Sequence, residues 1–143
     1  MVGTKYASEK RIFTDPKSGV QITQLTNQGI NYHFYFTENS FDLDGKTIYF
    51  LSNRGHEGTE ICNLFKMDLE SGEMEQLTDD PKGIEVGRIT KTPDGEYVAY
   101  VTENNIRLYH TRTRENKLIY EEKEHKLLQN LSFSCDKQWI GFN

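Results

Sequence analysis

The chain has 143 residues, 27% of them charged and 35% hydrophobic, enough for one domain with a core of its own. Its formal net charge is -5 with both signs interspersed, which argues against nucleic acid, whose phosphates call for a clustered basic surface. A small acidic ligand stays open, because a local site can be basic on an acidic protein.

No apolar run approaches the roughly 20 residues that span a bilayer, so no membrane partner is expected. Met1 to Arg11 lacks the apolar stretch of a signal peptide. Cys62 and Cys135 give neither a disulfide framework nor a zinc spacing and read as separate thiols in a reducing compartment, so the expected location is cytoplasmic. Aromatic residues, almost all among 8 Tyr and 8 Phe, suit the half-buried surface of β-sheets.

In chain order, Lys10-Arg11-Ile12-Phe13, a turn at Pro16-Lys17-Ser18-Gly19 and Val20 to Thr26 read as a first hairpin. Tyr32 to Thr37 follows as a short strand, and Phe41-Asp42-Leu43-Asp44-Gly45-Lys46-Thr47-Ile48-Tyr49-Phe50 as a second turn-and-strand unit. Asn63 to Leu69, a turn at Glu70-Ser71-Gly72-Glu73, and Met74 to Thr78 make a third. Lys91-Thr92-Pro93-Asp94-Gly95-Glu96-Tyr97-Val98-Ala99-Tyr100 repeats the second unit, and Arg107 to Thr111 with Lys117 to Tyr120 repeats the third. Glu121 to Leu128 is a charged loop, and Phe133-Ser134-Cys135-Asp136-Lys137-Gln138-Trp139-Ile140-Gly141-Phe142 repeats the second unit again.

Asp44, Asp94 and Asp136 open equivalent turns, and each is followed by alternating apolar residues: Ile48 and Phe50, Val98 and Tyr100, Ile140 and Phe142. Asp-Gly between extended runs is a strong hairpin signal; with Lys137 in the glycine position, the third turn is expected to differ. Each repeat is four antiparallel strands, here a to d, and four strands per 40–50 residues is the signature of a β-propeller blade. The predicted fold is therefore all-β, about three blade-equivalents: strands c-d in 1–30, full blades in 31–80 and 81–125, and strands a-b in 126–143.

The repeat resembles that of TolB-like, WD-type propellers, through Thr92-Pro93-Asp94-Gly95 and Asp68-Leu69-Glu70-Ser71-Gly72-Glu73. A narrower resemblance, over Arg11 to Asp80, is to the start of the oligogalacturonate lyases. It is carried by Phe13-Thr14-Asp15-Pro16, Ile22-Thr23-Gln24-Leu25-Thr26, Tyr32-His33-Phe34-Tyr35-Phe36-Thr37 and Asn63 through Asp79. That resemblance implies a seven-bladed propeller, cytoplasmic in pectin-degrading bacteria, that cleaves short oligogalacturonides by β-elimination with Mn²⁺ held by histidines and a glutamine. It also implies that the metal ligands and catalytic base lie beyond Asn143, so no catalytic or metal-binding residue is carried onto this chain, and the 143 residues alone are expected to be inactive.

Among the residues present, His33 stands near the start of an a-strand, which in a propeller lines the central channel, and is a candidate to touch substrate. Arg88, on the next a-strand, could grip a carboxylate in bidentate fashion or pair with Glu85 or Asp94. His33, His56, His110 and His125 are scattered and show no metal-ligand spacing. Arg54 and His56 sit on a glycine-bearing b-c loop, where turning is the simpler role, and Trp139 reads as core. Three blade-equivalents do not close a ring. The alternative to a lyase portion is therefore a small binding or scaffold propeller in which the a-b half of one chain completes the c-d half of another.

Overall fold

The computed structural model describes residues 1–127 and 130–143. Thirteen strands and no helix form among them: β1 (Lys5–Tyr6), β2 (Arg11–Thr14), β3 (Gln21–Gln24), β4 (Asn31–His33), β5 (Thr47–Ser52), β6 (Asn63–Asp68), β7 (Met74–Gln76), β8 (Ile89–Lys91), β9 (Tyr97–Thr102), β10 (Asn105–His110), β11 (Asn116–Glu121), β12 (Ser132–Phe133) and β13 (Ile140–Gly141). All pairings are antiparallel. The first large sheet has the order β1-β7-β6-β5-β4 and the second β11-β10-β9-β8, while β2-β3 and β12-β13 are two-stranded. β1 has no counterpart among the predicted strands; it adds to the outer edge of β7 with Lys5 opposite Glu75. Glu121 closes β11 and 122–127 bends without forming a helix; Leu128, the end of the expected loop, lies outside the described residues.

Two turn types repeat with their hydrogen bonds intact. In the a-b turns, Asp44, Asp94 and Asp136 each accept, through Oδ1, the backbone N–H two residues on, at 2.8, 3.1 and 3.1 Å. The next position is left-handed in every copy: Gly45 at φ 66°, Gly95 at 68° and Lys137 at 62°. The third turn therefore does not differ in backbone, contrary to expectation. Lys137 accepts a conformation disfavoured for a residue with a Cβ, and its ammonium reaches Asp94 Oδ2 at 2.6 Å and Glu96 Oε2 at 2.9 Å on the preceding turn. In the c-d turns, Asp15 Oδ2 takes the Ser18 N–H at 2.9 Å and Asp68 Oδ1 the Ser71 N–H at 2.7 Å. His110 replaces the aspartate in the third copy, its Nδ1 accepting from the N–H groups of Arg112 (3.2 Å) and Thr113 (3.3 Å). An accepting Nδ1 puts the ring proton on Nε2 in the neutral tautomer.

Strand side chains alternate between faces, and the central strands bury both. Tyr49, Leu51 and Leu64 meet Ile89, Val98, Tyr100 and Tyr109 between the two large sheets. Phe50, Phe65, Met67 and Met74 occupy the opposite face of the first sheet, under Tyr6 and Leu25. Ala99, Val101 and Ile106 take Leu127, Leu131, Phe133 and Ile140 on the far face of the second. The sheets thus succeed one another face to face, and each fully buried large side chain contributes about 1.5–3 kcal/mol of transfer free energy. Burial also pushes the Tyr109 hydroxyl up to about 12. Trp139, expected in the core, is 74% exposed. It points away from the face carrying Ile140, and no sheet among the described residues lies on that side.

Candidate functional site

Phe34 is the pin that places His33. Its ring is 1% exposed in the core, and its N–H is held by Ser40 Oγ at 3.0 Å. β4 forms one edge of the first sheet, with Asn31, Tyr32 and His33 opposite Ser52, Leu51 and Phe50, and no further strand among the described residues pairs with it. His33 is exposed, and its Nδ1 contacts the Phe34 carbonyl.

His33 lines an open groove of about 500 Å³ with Tyr32, Tyr35, Phe36, Val86 and Gly87. The rings of Tyr35 and Phe36 lie 4.3 Å apart and both are exposed. Arg88 follows directly on Val86-Gly87. Its side chain is 12% exposed and its Nη1 stands 2.5 Å from Glu85 Oε2. The structure therefore brings His33 and the segment before Arg88 to one groove, with the guanidinium engaged by Glu85. A carboxylate ligand would have to share Arg88 with that glutamate.

Arg54 sits elsewhere and is 4% exposed. Its Nη2 donates to both Glu9 oxygens at 2.8 Å and to the Gln28 carbonyl at 3.0 Å, its Nε to Glu9 Oε1 at 3.3 Å, and its Nη1 to Ser52 Oγ at 2.5 Å and to Asn31 Oδ1. Glu9 Oε2 also accepts the N–H groups of Asn27 (2.7 Å) and Gln28 (3.0 Å). Burial alone would push the Glu9 carboxyl up, but the hydrogen bonds from Arg54 and Asn27 outweigh it, and the net displacement is downward. Arg54 is thus a clamp that roots both ends of the β2-β3 hairpin on the first sheet. His56 Nε2 contacts Asp79 at 3.3 Å.

A second polar set joins the two large sheets. Glu38 Oε2 accepts from Thr90 Oγ1 at 2.6 Å, and Lys91, 7% exposed, is flanked by Glu38, Asp42 and Asp94. Burial pushes the carboxyls of Glu38 and Asp42 up and the Lys91 amine down, while the Lys137 ammonium holds Asp94 well below the usual carboxylate range. One sequence signal pointed here: Lys91 occupies the repeat position filled by Phe41 and Phe133. Among the described residues no three His, Cys, Asp or Glu side chains converge as metal ligands. No helix among them is long and apolar enough to cross a membrane.

An all-β arrangement of successive antiparallel sheets is a propeller-like class of protein. Two solved structures share it. The oligogalacturonate lyase from Vibrio parahaemolyticus superposes with a TM-score of 0.87 at 24% identity, over 98% of this chain and 37% of that one. An oligogalacturonate lyase in complex with manganese gives 0.84 at 22%, over 95% of this chain and 36% of that one. The chain thus spans little more than a third of the length of the structures it resembles. No family model matches the sequence, and no curated protein matches it.

Proposed function

We propose that this chain is the N-terminal portion of an oligogalacturonate lyase-like enzyme with a seven-bladed ring, acting in the cytoplasm on short, unsaturated oligogalacturonides from pectin. The observation that carries the reading is the superposition of nearly the whole chain, at TM-scores of 0.84 and 0.87, on two lyase structures. The sequence motifs at Phe13 to Pro16 and Tyr32 to Thr37 point the same way.

Eliminating across a uronate ring needs a base for the C5 proton and cationic groups that stabilise the charge developing on the carboxylate. In this reading His33 and Arg88 contact the substrate: His33 offers a nitrogen beside the aromatic groove, and Arg88 offers charge at its edge. Manganese suits the second structure, which holds it, but the described residues of this chain do not fit the ion. No step here runs through it. The base and metal ligands belong to the remainder of the longer protein.

The test is an absorbance assay for unsaturated uronate released from digalacturonate. The longer protein releases it and loses the activity to a chelator; the 143-residue chain releases none. A longer protein without product ends the family reading, and turnover by this chain alone ends the claim that it lacks the catalytic groups. His33→Ala in the longer protein raises KM while the circular dichroism spectrum is kept; unchanged KM and kcat remove His33 from the site.

A further inference from the structure

The strand that carries His33 contains an excursion that its counterpart in the second sheet lacks. Counted from Asp44 and Asp94, Phe50 is equivalent to Tyr100 and Ile48 to Val98. In the second sheet Ile89 stands opposite Tyr100 and Lys91 opposite Val98, with Thr90 alone between them. In the first, His33 stands opposite Phe50 and Phe41 opposite Ile48, with residues 34–40 between them. Ser40 resumes the ladder, its carbonyl accepting the Tyr49 N–H at 2.8 Å. The six residues 34–39 are therefore looped out of the strand.

This loop is tied at three points. Phe34 is buried, and its N–H donates to Ser40 Oγ across the neck at 3.0 Å. The Glu38 N–H closes a turn on the Tyr35 carbonyl at 2.8 Å, and the Glu38 carboxylate accepts from Thr90 Oγ1 of the second sheet at 2.6 Å. Glycine and small polar residues usually occupy such a turn. Here it presents Tyr35 and Phe36, both exposed, with ring centroids 4.3 Å apart. Both line the groove of about 500 Å³ whose other walls include Tyr32, His33, Val86 and Gly87. That size falls within the range of small-molecule pockets, about 300–1,000 Å³. The walls come from the five-stranded and the four-stranded sheet, neither of which is half-built.

We propose that Tyr35 and Phe36 are the sugar-stacking platform of this groove, taking one unit of an oligogalacturonide by the apolar face of its ring. The inference rests on the lyase reading above and adds to it the residues that hold the carbohydrate. In the galacto configuration O4 is axial, so H3, H4 and H5 share the opposite face of the pyranose. They form an apolar patch that an aromatic ring covers and removes from water. The hydroxyls and the carboxylate stay at the rim, beside His33 and the segment leading to Arg88. The unit held in this way is not the one that reacts. In the elimination a base takes H5, the C4–O bond of the same ring breaks and C4=C5 forms. The oxygen leaves on the neighbouring unit and takes up a proton from the base or from water. The base must reach the face that carries H5, and a stacked aromatic would cover it. The platform therefore takes the departing unit. Because the loop is ordered before the sugar arrives, binding is spared much of the cost of ordering it.

The experiment uses the longer protein with two probes: digalacturonate for turnover, and D-galacturonate, which has no glycosidic bond to lose, for saturation-transfer NMR. In the unmodified protein the transfer to D-galacturonate is strongest at H3, H4 and H5. Tyr35→Ala with Phe36→Ala lowers it at least threefold and raises KM for digalacturonate about tenfold, with kcat within twofold and the circular dichroism spectrum kept. Tyr35→Phe, which keeps the ring, stays within twofold of the unmodified protein in both measurements. Each ring is exposed, so the two alanine variants are also measured singly. Product release by the unmodified protein together with unchanged KM and unchanged transfer in the double variant overturns the platform and leaves the lyase reading standing. Transfer that is lost in the double variant, from a protein that releases no product, upholds the platform and ends the lyase reading. Transfer spread evenly over the ring protons overturns the stacking geometry, and neither transfer nor product ends both.

Discussion

Replacing Arg54 by Ala tests the root of the β2-β3 hairpin. The guanidinium is almost fully enclosed and spreads its donors over Glu9, Asn31, Ser52 and the Gln28 carbonyl. Removing one member of a buried, hydrogen-bonded ion pair typically costs about 3–5 kcal/mol, because the other charge remains without its partner. Here the Asn27 and Gln28 N–H groups still reach the Glu9 carboxylate, which sets the expectation at the lower end, about 3 kcal/mol. For a chain of this size that corresponds to a fall in Tm of roughly 10 °C. Urea unfolding followed by circular dichroism measures the loss, and amide exchange at Phe13 and Ile22, which face each other across the hairpin, locates it there. Glu9→Ala costs a similar amount, and the double variant costs less than the two singles added. Arg54→Lys recovers little, since an ammonium cannot reproduce the fork of donors. A loss below about 1 kcal/mol, or unchanged exchange in the hairpin, would refute the clamp.

The same pair sets a pH dependence. The Glu9 carboxyl is displaced downward on folding, so its contribution is fully present above its ordinary value of 4.5 and is lost as pH falls through the lower folded value; in Glu9→Gln that part of the acid-side slope in urea titrations disappears. Gly95→Ala destabilises by about 1–2 kcal/mol, because the position is left-handed and a Cβ there falls on the Asp42 carboxylate; Gly45→Ala, with nothing near its Cβ, costs less, and thermal melts of the two report the difference. Lys137→Ala lets the Asp94 carboxyl rise toward its ordinary value, read by NMR titration; an unmoved Asp94 would show that the contact between turns does not hold it down. Phe65→Ala, at a fully buried ring, lowers stability by about 3–5 kcal/mol in urea unfolding.

The hairpins were legible because turn chemistry and period-two alternation are local signals: Asp44, Asp94 and Asp136 each mark a turn that forms as read. What escaped was tertiary. The two residues of β1 carry no pattern of their own and become a strand only by pairing with β7. The Glu9–Arg54 clamp joins residues 45 apart, and nothing in the segment around Glu9 announces a buried carboxylate. Lys137 lacks the glycine and suggests a different turn, but the backbone is left-handed there too, closed by the Lys137 N–H on the Ser134 carbonyl at 2.9 Å. At the candidate site, nothing in the aromatic run from Tyr32 to Phe36 singles out Phe34 as the one buried ring, whereas the pairing of Arg88 with Glu85 is one of the two that the sequence offered.

The short β1 has a practical consequence for handling the protein. It shields the rim of the first sheet, whereas all six residues of β11, the matching rim of the second, are exposed. Between Lys117 and Glu121 that rim offers Leu118, Ile119 and Tyr120 with unpaired backbone groups, a template onto which another molecule's strand could add during concentration or refolding. A charged substitution at Ile119, on a strand the core does not use, is the first change to make if the preparation precipitates.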